Sequence, residues 1–200
     1  MELLLIRHAR PERVESVEGP ADPPLSALGR RQAAALADWL AAGAGDEPID
    51  AVVTSPLRRA RETAEPLAAA LCLPAPEADA ALAEYDADAL EYIPVEELKA
   101  AGDPRWMELP ADIAGFQERV MAGVARVVAA HPSRRIALVC HGGVVNVIVA
   151  AVLGLGPRML FLPGYTSVSR VLVASTGERS LASLNETGHL RAAGVPPVEL

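Results

Sequence analysis

The sequence is poor in aromatic residues, cysteine and lysine, and it has no long apolar run. Phe, Trp and Tyr together make up 4% of the 200 residues, the two cysteines are Cys72 and Cys140, and Lys99 is the single lysine. The cysteines show neither disulfide nor metal-ligand spacing, which excludes a zinc cluster and favours a reducing, cytoplasmic setting. No uninterrupted apolar stretch reaches the roughly 20 residues that a membrane-spanning helix needs. We therefore expect a globular, cytoplasmic protein.

The chain is acidic, with 18 Lys and Arg residues against 26 Asp and Glu residues and a formal net charge of −8. This charge disfavours nucleic acids and anionic membranes as partners. A chain of 200 residues, 51% of them hydrophobic, can bury roughly 70% of its unfolded surface in one core. We therefore predict a single domain over residues 1–200.

Short apolar runs that end in polar residues alternate with helical patterns along the chain. Buried strands are predicted over residues 3–6, 51–54 and 136–140. Helices are predicted over about 26–42, 55–71, 112–130 and 144–153, with Pro66 kinking or dividing the second, and a late hairpin over 168–174 and 181–184. This alternation predicts an α/β fold, a three-layer α/β/α sandwich around a mostly parallel central sheet.

Two segments lack such regularity. Residues 77–110 are acidic, rich in Ala and Pro, and irregular apart from a helical stretch near 95–101, so we predict a lid-like insertion at about 85–111. The last dozen residues are predicted to fray. His189 at the start of this tail and His131 near a helix C-terminus are both predicted to lie on the surface.

Charged residues and histidines follow each of the three predicted strands. Arg7 and His8 follow the first strand, Arg58 and Arg59 come shortly after the second, and His141 follows the third. The carboxyl ends of parallel strands meet at one edge of a sheet, so these side chains are expected to form one site. Because the guanidinium fork matches phosphate oxygens, we predict an anion site for a phosphoryl group.

The two histidines indicate phosphoryl transfer at this site. A neutral imidazole is a good nucleophile towards phosphorus near pH 7, and a protonated one can neutralise the charge of the transition state. The leaving alcohol also needs a proton source, for which Glu84 is the candidate. Three neighbouring acids are the alternatives: Asp86, Asp88 and Glu91.

Five short segments stand in order over the first 150 residues: LLLIRHAR at 3–10, PLSALGRRQAAALADWL at 24–40, SPLRRARETAEPLA at 55–68, LAE at 82–84 and ALVCHGG at 137–143. Together they resemble the motifs of the histidine phosphatase superfamily, in its phosphoglycerate-mutase-like branch. The resemblance implies a phosphoglycerate-mutase-like fold and an enzyme that uses neither a metal nor a cofactor.

The resemblance also implies a role for each matching residue. His8 is phosphorylated and then hydrolysed, and Glu84 donates and later removes a proton. The phosphoryl group is held by Arg7, Arg59 and His141. Arg59 stands at the family's phosphate-binding position, and its neighbour Arg58 is the alternative.

Three departures from the family pattern bear on the reaction. Ala9 replaces the usual glycine after His8, and DADALEY at 86–92 replaces a Gly-x-Trp-x-Gly motif. Pro11 and Val14 stand where a mutase would place serine and asparagine, which disfavours a mutase. The expected function is a phosphomonoester hydrolase with a phosphohistidine at His8. Phosphoglycerate-mutase-type transfer and a non-catalytic phosphate-binding module are the alternatives.

The expected substrate is a small phosphorylated metabolite. Neither a nucleic acid nor a membrane is expected as a partner, and a homodimer is left open.

Overall fold

The computed structural model describes residues 1–43 and 47–198. Its strands are β1 (Glu2–Arg7), β2 (Val14–Glu15), β3 (Ala51–Thr54), β4 (Glu77–Ala78), β5 (Glu91–Tyr92), β6 (Arg135–Cys140), β7 (Val168–Val173) and β8 (Arg179–Glu186). Six of them form one sheet in the order β4-β3-β6-β1-β7-β8, and β2 pairs antiparallel with β5 in a separate ribbon. β1, β3, β4 and β6 run parallel, while β7 is antiparallel to both of its neighbours. The predicted mostly parallel sheet is confirmed.

The helices are α1 (Ala27–Ala41), α2 (Arg58–Ala70), α3 (Val95–Ala100), α4 (Ile113–Ala130), α5 (Gly142–Val152) and α6 (Gly188–Ala192). Two of the longest helices, α1 and α4, each have a capping side chain at the N-terminus. The Ser26 hydroxyl accepts from the Gly29 amide at the start of α1, and the Asp112 carboxylate accepts from the Gly115 amide at the start of α4. Such caps satisfy amide groups that have no partner within the first helical turn.

Alternate side chains of the central strands face two helical layers. Leu3 and Leu5 of β1 pack in one core together with α4 and α5. Leu4 and Ile6 of the same strand pack in a second core together with α1 and α2. Because β1 is buried on both faces, its sequence is a continuous apolar run and not an alternating one. The predicted three-layer sandwich is confirmed.

Two local predictions were wrong and a third is narrowed. Pro66 does not divide α2, which is one continuous helix with Ala64 and Leu67 buried on either side of the proline, and the kink stays a prediction. The segment Glu77–Ala78 adds a parallel edge strand to the main sheet, although its exposed side chains give no strand pattern. Residues 189–192 of the segment that was expected to fray belong to the helix α6, and residues 199–200 of that segment lie outside the described residues.

The predicted single domain of residues 1–200 includes residues 44–46 and 199–200, which lie outside the described residues, and it stays a prediction. Within the described ranges, no helix is long and apolar enough to cross a bilayer.

Candidate active site

The carboxyl ends of β1 and β6 bring the two candidate histidines together. These strands are parallel neighbours with Arg7 opposite Cys140, and the His8 amide donates to the Cys140 carbonyl oxygen at 2.9 Å. His8 and His141 follow these residues at the same edge. Their ring centroids lie 5.0 Å apart at an interplanar angle of 60°. The expected juxtaposition of the two imidazoles is present.

The hydrogen bonds of His8 define which ring nitrogen is free. Its Nδ1 lies 2.8 Å from the Ala9 carbonyl oxygen, and a carbonyl can only accept, so Nδ1 carries the proton in this geometry. The other nitrogen, Nε2, therefore keeps its lone pair. Burial, followed by the positive charges of Arg59 and Arg7, holds the pKa of His8 well below its ordinary value. The ring is therefore neutral at pH 7, and a neutral imidazole with a free lone pair has the chemistry of a nucleophile.

The His141 ring is held by a hydrogen bond with Ser55. Its Nε2 lies 2.7 Å from the Ser55 hydroxyl, and its Nδ1 is buried without a partner in the described part of the chain. Burial, Arg59 and His8 all lower the pKa of His141 well below its ordinary value. The expected protonated imidazole is therefore disfavoured before a ligand binds. A neutral ring with its proton on Nδ1 would still present a hydrogen-bond donor to a phosphoryl oxygen.

Two buried arginines complete the anion site. Arg7 is 5% exposed and Arg59 2% exposed. The guanidinium carbons lie 4.0 Å from the ring centroid of Tyr165 for Arg7 and 4.6 Å from that of Tyr92 for Arg59, so each cation stacks on an aromatic face. In both side chains the Nε atom is buried without a partner among the described residues. The Nε atoms of Arg7 and Arg59 and the Nδ1 of His141 are therefore three buried polar atoms without a partner in the described structure, and all three could donate to an anion.

The alternative arginine points elsewhere. The Arg58 side chain is 49% exposed, and its Nε donates to the Glu62 carboxylate at 2.6 Å. Glu62 lies one helical turn further along α2, so the pair is an ordinary surface contact. Arg59 is therefore the guanidinium of this helix that the geometry places at the site.

Glu84 approaches the same site from the segment after β4. One carboxylate oxygen accepts from the Gly143 amide at 2.8 Å, and the other accepts from the Tyr85 amide at 3.2 Å. Burial, followed by the negative charge of Asp86, raises the pKa of Glu84 to about 7. A Cβ at Gly143 would collide with the Glu84 carboxylate, so a larger residue there would displace this carboxylate from its present position. The carboxyl can hold or release a proton near neutral pH.

The alternative acids differ in their surroundings. Asp86 lies 3.8 Å from the Arg59 guanidinium and also lines the cavity at the site. Glu91 pairs with Arg105 and Arg13, each at 3.0 Å, and these contacts lower its pKa so that it stays ionised. Asp88 is exposed and does not line the cavity. Burial raises the pKa of Asp86 as well as that of Glu84, so both carboxyl groups have an environment that suits a general acid. Glu84 is distinguished from Asp86 by its hydrogen bond from the Gly143 amide, which fixes it beside His141.

A cavity of about 900 Å³ opens above the histidines and arginines. Its far wall is formed by the predicted insertion, which is tied to the body of the protein. Arg10 pairs with Glu96 at 2.7 Å and with Glu97 at 2.9 Å, and the Tyr165 hydroxyl donates to Glu96 at 2.9 Å. The insertion therefore lines the cavity, and whether it moves as a lid stays a prediction.

Several supporting residues were not found by sequence reasoning. Arg119 of α4 donates to the carbonyl oxygens of residues 80, 81 and 83, and so fixes the turn that presents Glu84. Thr63 of α2 accepts from the Ala9 amide at 3.0 Å. The Ala9 methyl is buried with Leu25 in a small core, which explains why alanine is accommodated where glycine is usual. These contacts join residues that are far apart in the chain, so no local sequence pattern could have predicted them.

The surface prediction for His189 was wrong. This residue is 1% exposed, and its Nε2 lies 2.9 Å from the Thr166 hydroxyl, which itself donates to the Tyr165 carbonyl. Thr166 adopts a φ of 56°, in the left-handed region that a β-branched residue rarely adopts. The Thr166 amide donates to the Arg7 carbonyl at 3.0 Å. His189 therefore braces the turn that carries Tyr165 against Arg7.

Comparison with known proteins gives one consistent family. The model of the histidine phosphatase superfamily (branch 1) matches residues 3–187. An uncharacterized phosphatase, PhoE of Bacillus subtilis, is 30% identical over 157 residues, which are 78% of this chain and 79% of that protein. The bifunctional protein Rv2228c of Mycobacterium tuberculosis is 32% identical over 203 residues, with 94% of this chain aligned to only 54% of that longer protein.

A solved structure agrees with the fold. The native structure of the mycobacterial glucosyl-3-phosphoglycerate phosphatase Rv2419c superposes with a TM-score of 0.74 at 25% identity, covering 93% of this chain and 99% of the other. Buried histidines and arginines at the carboxyl edge of a mostly parallel sheet define a phosphoryl-transfer type of site. The chain belongs to the histidine phosphatase superfamily, branch 1, and the predicted family is confirmed.

Proposed function

We propose that this protein hydrolyses phosphate monoesters through a covalent phosphohistidine at His8. The observation that carries the proposal is the orientation of the His8 ring. Its Nδ1 bonds to the Ala9 carbonyl, which leaves the Nε2 lone pair free beside two buried guanidinium groups. Membership of the histidine phosphatase superfamily and the phosphatases among the similar proteins support the same chemistry.

In the first step His8 Nε2 attacks phosphorus. The new N–P bond forms as the ester P–O bond breaks, and the electron pair of that bond leaves on the alcohol oxygen. The protonated carboxyl of Glu84 gives its proton to this oxygen, so a neutral alcohol departs. Arg7, Arg59 and His141 donate to the phosphoryl oxygens, whose charge redistributes in the transition state.

In the second step water releases the phosphate. Glu84, now ionised, takes a proton from a water molecule whose oxygen attacks phosphorus while the N–P bond breaks. His8 returns to its neutral form and inorganic phosphate leaves, so the enzyme is restored. A pKa of Glu84 near 7 suits a group that must donate a proton in one step and accept one in the next.

We propose a small phosphorylated metabolite as the substrate and the cytoplasm as the site of action. The cavity of about 900 Å³ has the size of a small-molecule site, and the net charge of −8 disfavours a nucleic-acid partner. The roles above use His, Arg and Glu side chains alone.

Phosphate release by purified protein in excess chelator tests the proposal. The substrates are p-nitrophenyl phosphate and an alkyl phosphate, and His8→Asn, which keeps a polar side chain but no nucleophilic nitrogen, is the matched control. We expect turnover by the wild type and an acid-labile phosphoenzyme that the control lacks. Tight binding of inorganic phosphate without turnover would instead favour a phosphate-binding module.

Product analysis separates hydrolysis from mutase chemistry. With 3-phosphoglycerate as substrate, a mutase would yield the 2-phospho isomer with little inorganic phosphate. We expect any reaction with this substrate to release inorganic phosphate, because Pro11 and Val14 replace the polar loop residues typical of a mutase.

A further inference from the structure

The wall of the active-site cavity is unusually apolar for a surface that faces solvent. Among the described residues, ten large hydrophobic side chains are exposed. Five of these ten line the cavity: Tyr85, Leu90, Trp106, Leu109 and Leu160. Exposed apolar side chains gathered in one place, and not scattered singly, mark a binding surface.

Two of the three arginines that line the cavity in the described structure, Arg7 and Arg59, lie at its phosphate end. Beyond Arg7 and Arg59, the only cation among the described lining residues is Arg105. Its guanidinium pairs with Asp103 at 2.7 Å and with Glu91 at 3.0 Å. Lys99 is not a lining residue, and its ammonium lies 5.1 Å from the ring centroid of Trp106.

Negative charge, in contrast, is distributed along the cavity. Four carboxyl side chains line it: Glu84, Asp86, Glu91 and Glu108. Glu84 is protonated in the proposed first step, so a second negative group on a substrate would meet the other three carboxylates. Arg105, the cation of this wall, is already paired with Asp103 and Glu91. Such like-charge contacts are unfavourable in a partly enclosed site.

Asn146, which lines the cavity, makes hydrogen bonds to the backbone with both its amide nitrogen and its carbonyl oxygen. Asn146 donates to the carbonyl oxygens of Gly142 at 2.8 Å and Phe161 at 3.0 Å. Its carbonyl oxygen accepts from the amides of Leu160 at 2.6 Å and Phe161 at 3.1 Å. This residue positions the 160–163 wall and has no donor left over for the alcohol part of a substrate.

We infer that the preferred substrates are phosphate monoesters of uncharged alcohols with a bulky apolar body, and that esters carrying a carboxylate are disfavoured. This inference rests on the proposed function, because it takes the phosphate to lie between Arg7 and Arg59. From there the alcohol extends along the apolar wall. Burial of that body removes exposed apolar surface on both partners.

A matched pair of substrates tests the inference. Benzyl phosphate and 4-carboxybenzyl phosphate share a reacting centre and a similar leaving alcohol, and differ in one negative charge. We expect kcat/KM to be at least about tenfold higher for benzyl phosphate. We also expect it to be higher for benzyl phosphate than for ethyl phosphate, since the apolar wall contributes only to the larger ester.

A charge-introducing variant sharpens this test. Leu90 is 62% exposed and lines the cavity, so Leu90→Lys adds a cation to the wall without disturbing a buried core. We expect it to reduce the preference for benzyl over 4-carboxybenzyl phosphate several-fold. Leu184 is 42% exposed on β8, outside the cavity lining, so Leu184→Lys is the matched control and should leave the preference unchanged.

The outcomes separate this inference from the proposed function. Hydrolysis of both benzyl esters at equal rates, or a preference for the carboxylated ester, would overturn the substrate class alone. Failure to hydrolyse every ester would overturn the proposed function and the inference together. An equal loss of preference in Leu90→Lys and Leu184→Lys would also overturn it, because the effect would then not come from the cavity wall.

Discussion

The two ends of the active-site cavity differ in the polarity and the burial of their side chains. The phosphate end consists of buried charges fixed by strand ends, with Arg59 2% exposed and three polar atoms without a partner in the described chain. The wall formed by the insertion consists of apolar side chains open to solvent and ion pairs at the surface. Buried charges held at the edge of a sheet are suited to stabilising a transition state. Residues of an exposed wall can be exchanged at little cost to the fold, so such a wall is suited to determining which substrate binds.

The largest expected effect concerns the nucleophile at the phosphate end. We expect His8→Ala to lower kcat by at least about 10³-fold, because the proposed mechanism assigns the attack on phosphorus to the Nε2 atom of His8. Initial rates of phosphate release measure the change, and acid trapping of labelled phosphoenzyme identifies its cause. A variant that kept a tenth of wild-type activity would show that His8 is not the nucleophile.

The proton donor is expected to have an effect that depends on the leaving group. Glu84→Gln should lower kcat/KM for an alkyl phosphate by roughly 10²- to 10⁴-fold. The loss for p-nitrophenyl phosphate should be much smaller, since p-nitrophenolate leaves without a proton. Equal losses for the two substrates would contradict a role in proton donation.

The same residue predicts the pH dependence. Burial and Asp86 raise the pKa of Glu84 to about 7, so the carboxyl is protonated below pH 7 and loses its proton above it. The wild-type kcat/KM for an alkyl phosphate should therefore fall above pH 7, and Glu84→Gln should lack this fall. Asp86→Asn, which removes the neighbouring charge, should shift the fall to lower pH.

The paired arginines of α2 offer a matched comparison. Arg59→Lys keeps the charge but loses the planar fork, and we expect kcat/KM to decrease roughly tenfold to a hundredfold. Arg58→Lys, at the exposed neighbour bonded to Glu62, should stay within about twofold of the wild type. If Arg58→Lys were the more damaging change, the phosphate would be held by the other arginine.

A buried residue behind the phosphate end should affect stability more than chemistry. Burial lowers the pKa of His189 to about 4. As the pH falls from 6.5 towards 4, the unfolded chain binds a proton that the folded chain excludes, so stability is lost at about 1.4 kcal/mol per pH unit. His189→Asn should remove this part of the acid sensitivity in denaturant unfolding curves.

The smallest effect is expected at an ion pair of the wall. Arg10→Gln breaks the contacts with Glu96 and Glu97 that tie the insertion to the loop after β1. Because Arg10 is partly exposed, we expect a loss of at most about 1 kcal/mol and a decrease in Tm of about 2–4 °C. Measurement of the same decrease in 0.5 M salt, where exposed pairs are screened, should give a smaller difference.

The phosphate end could be predicted from the sequence because strand ends carry their own signal. The runs that became β1, β3 and β6 are apolar on both faces, and the parallel order of the sheet places the residues after them at one edge. Arg7, His8 and His141 therefore come together once the strands are recognised. The choice of Arg59 over Arg58 needed the family motif, since both follow the same strand.

The remaining features depend on contacts that sequence patterns do not encode. β4 is held by backbone hydrogen bonds to β3, which are independent of its exposed side chains Glu77 and Ala78. The burial of His189 depends on packing of the short helix α6 against α1. The stacking of Tyr165 on Arg7 joins residues 158 positions apart, a separation that no local period can reveal.

The brace at Thr166 ties the surroundings of Arg7 to the docking of the helix α6. Groups that shape the site come from residue 7 near the start and residue 189 near the end, and they meet through one left-handed turn. A ribosome-bound fragment that stops before the last strand contains both imidazoles but not the support for their surroundings. We therefore expect the surroundings of Arg7 to form only after the hairpin of β7 and β8 and the helix α6 have docked.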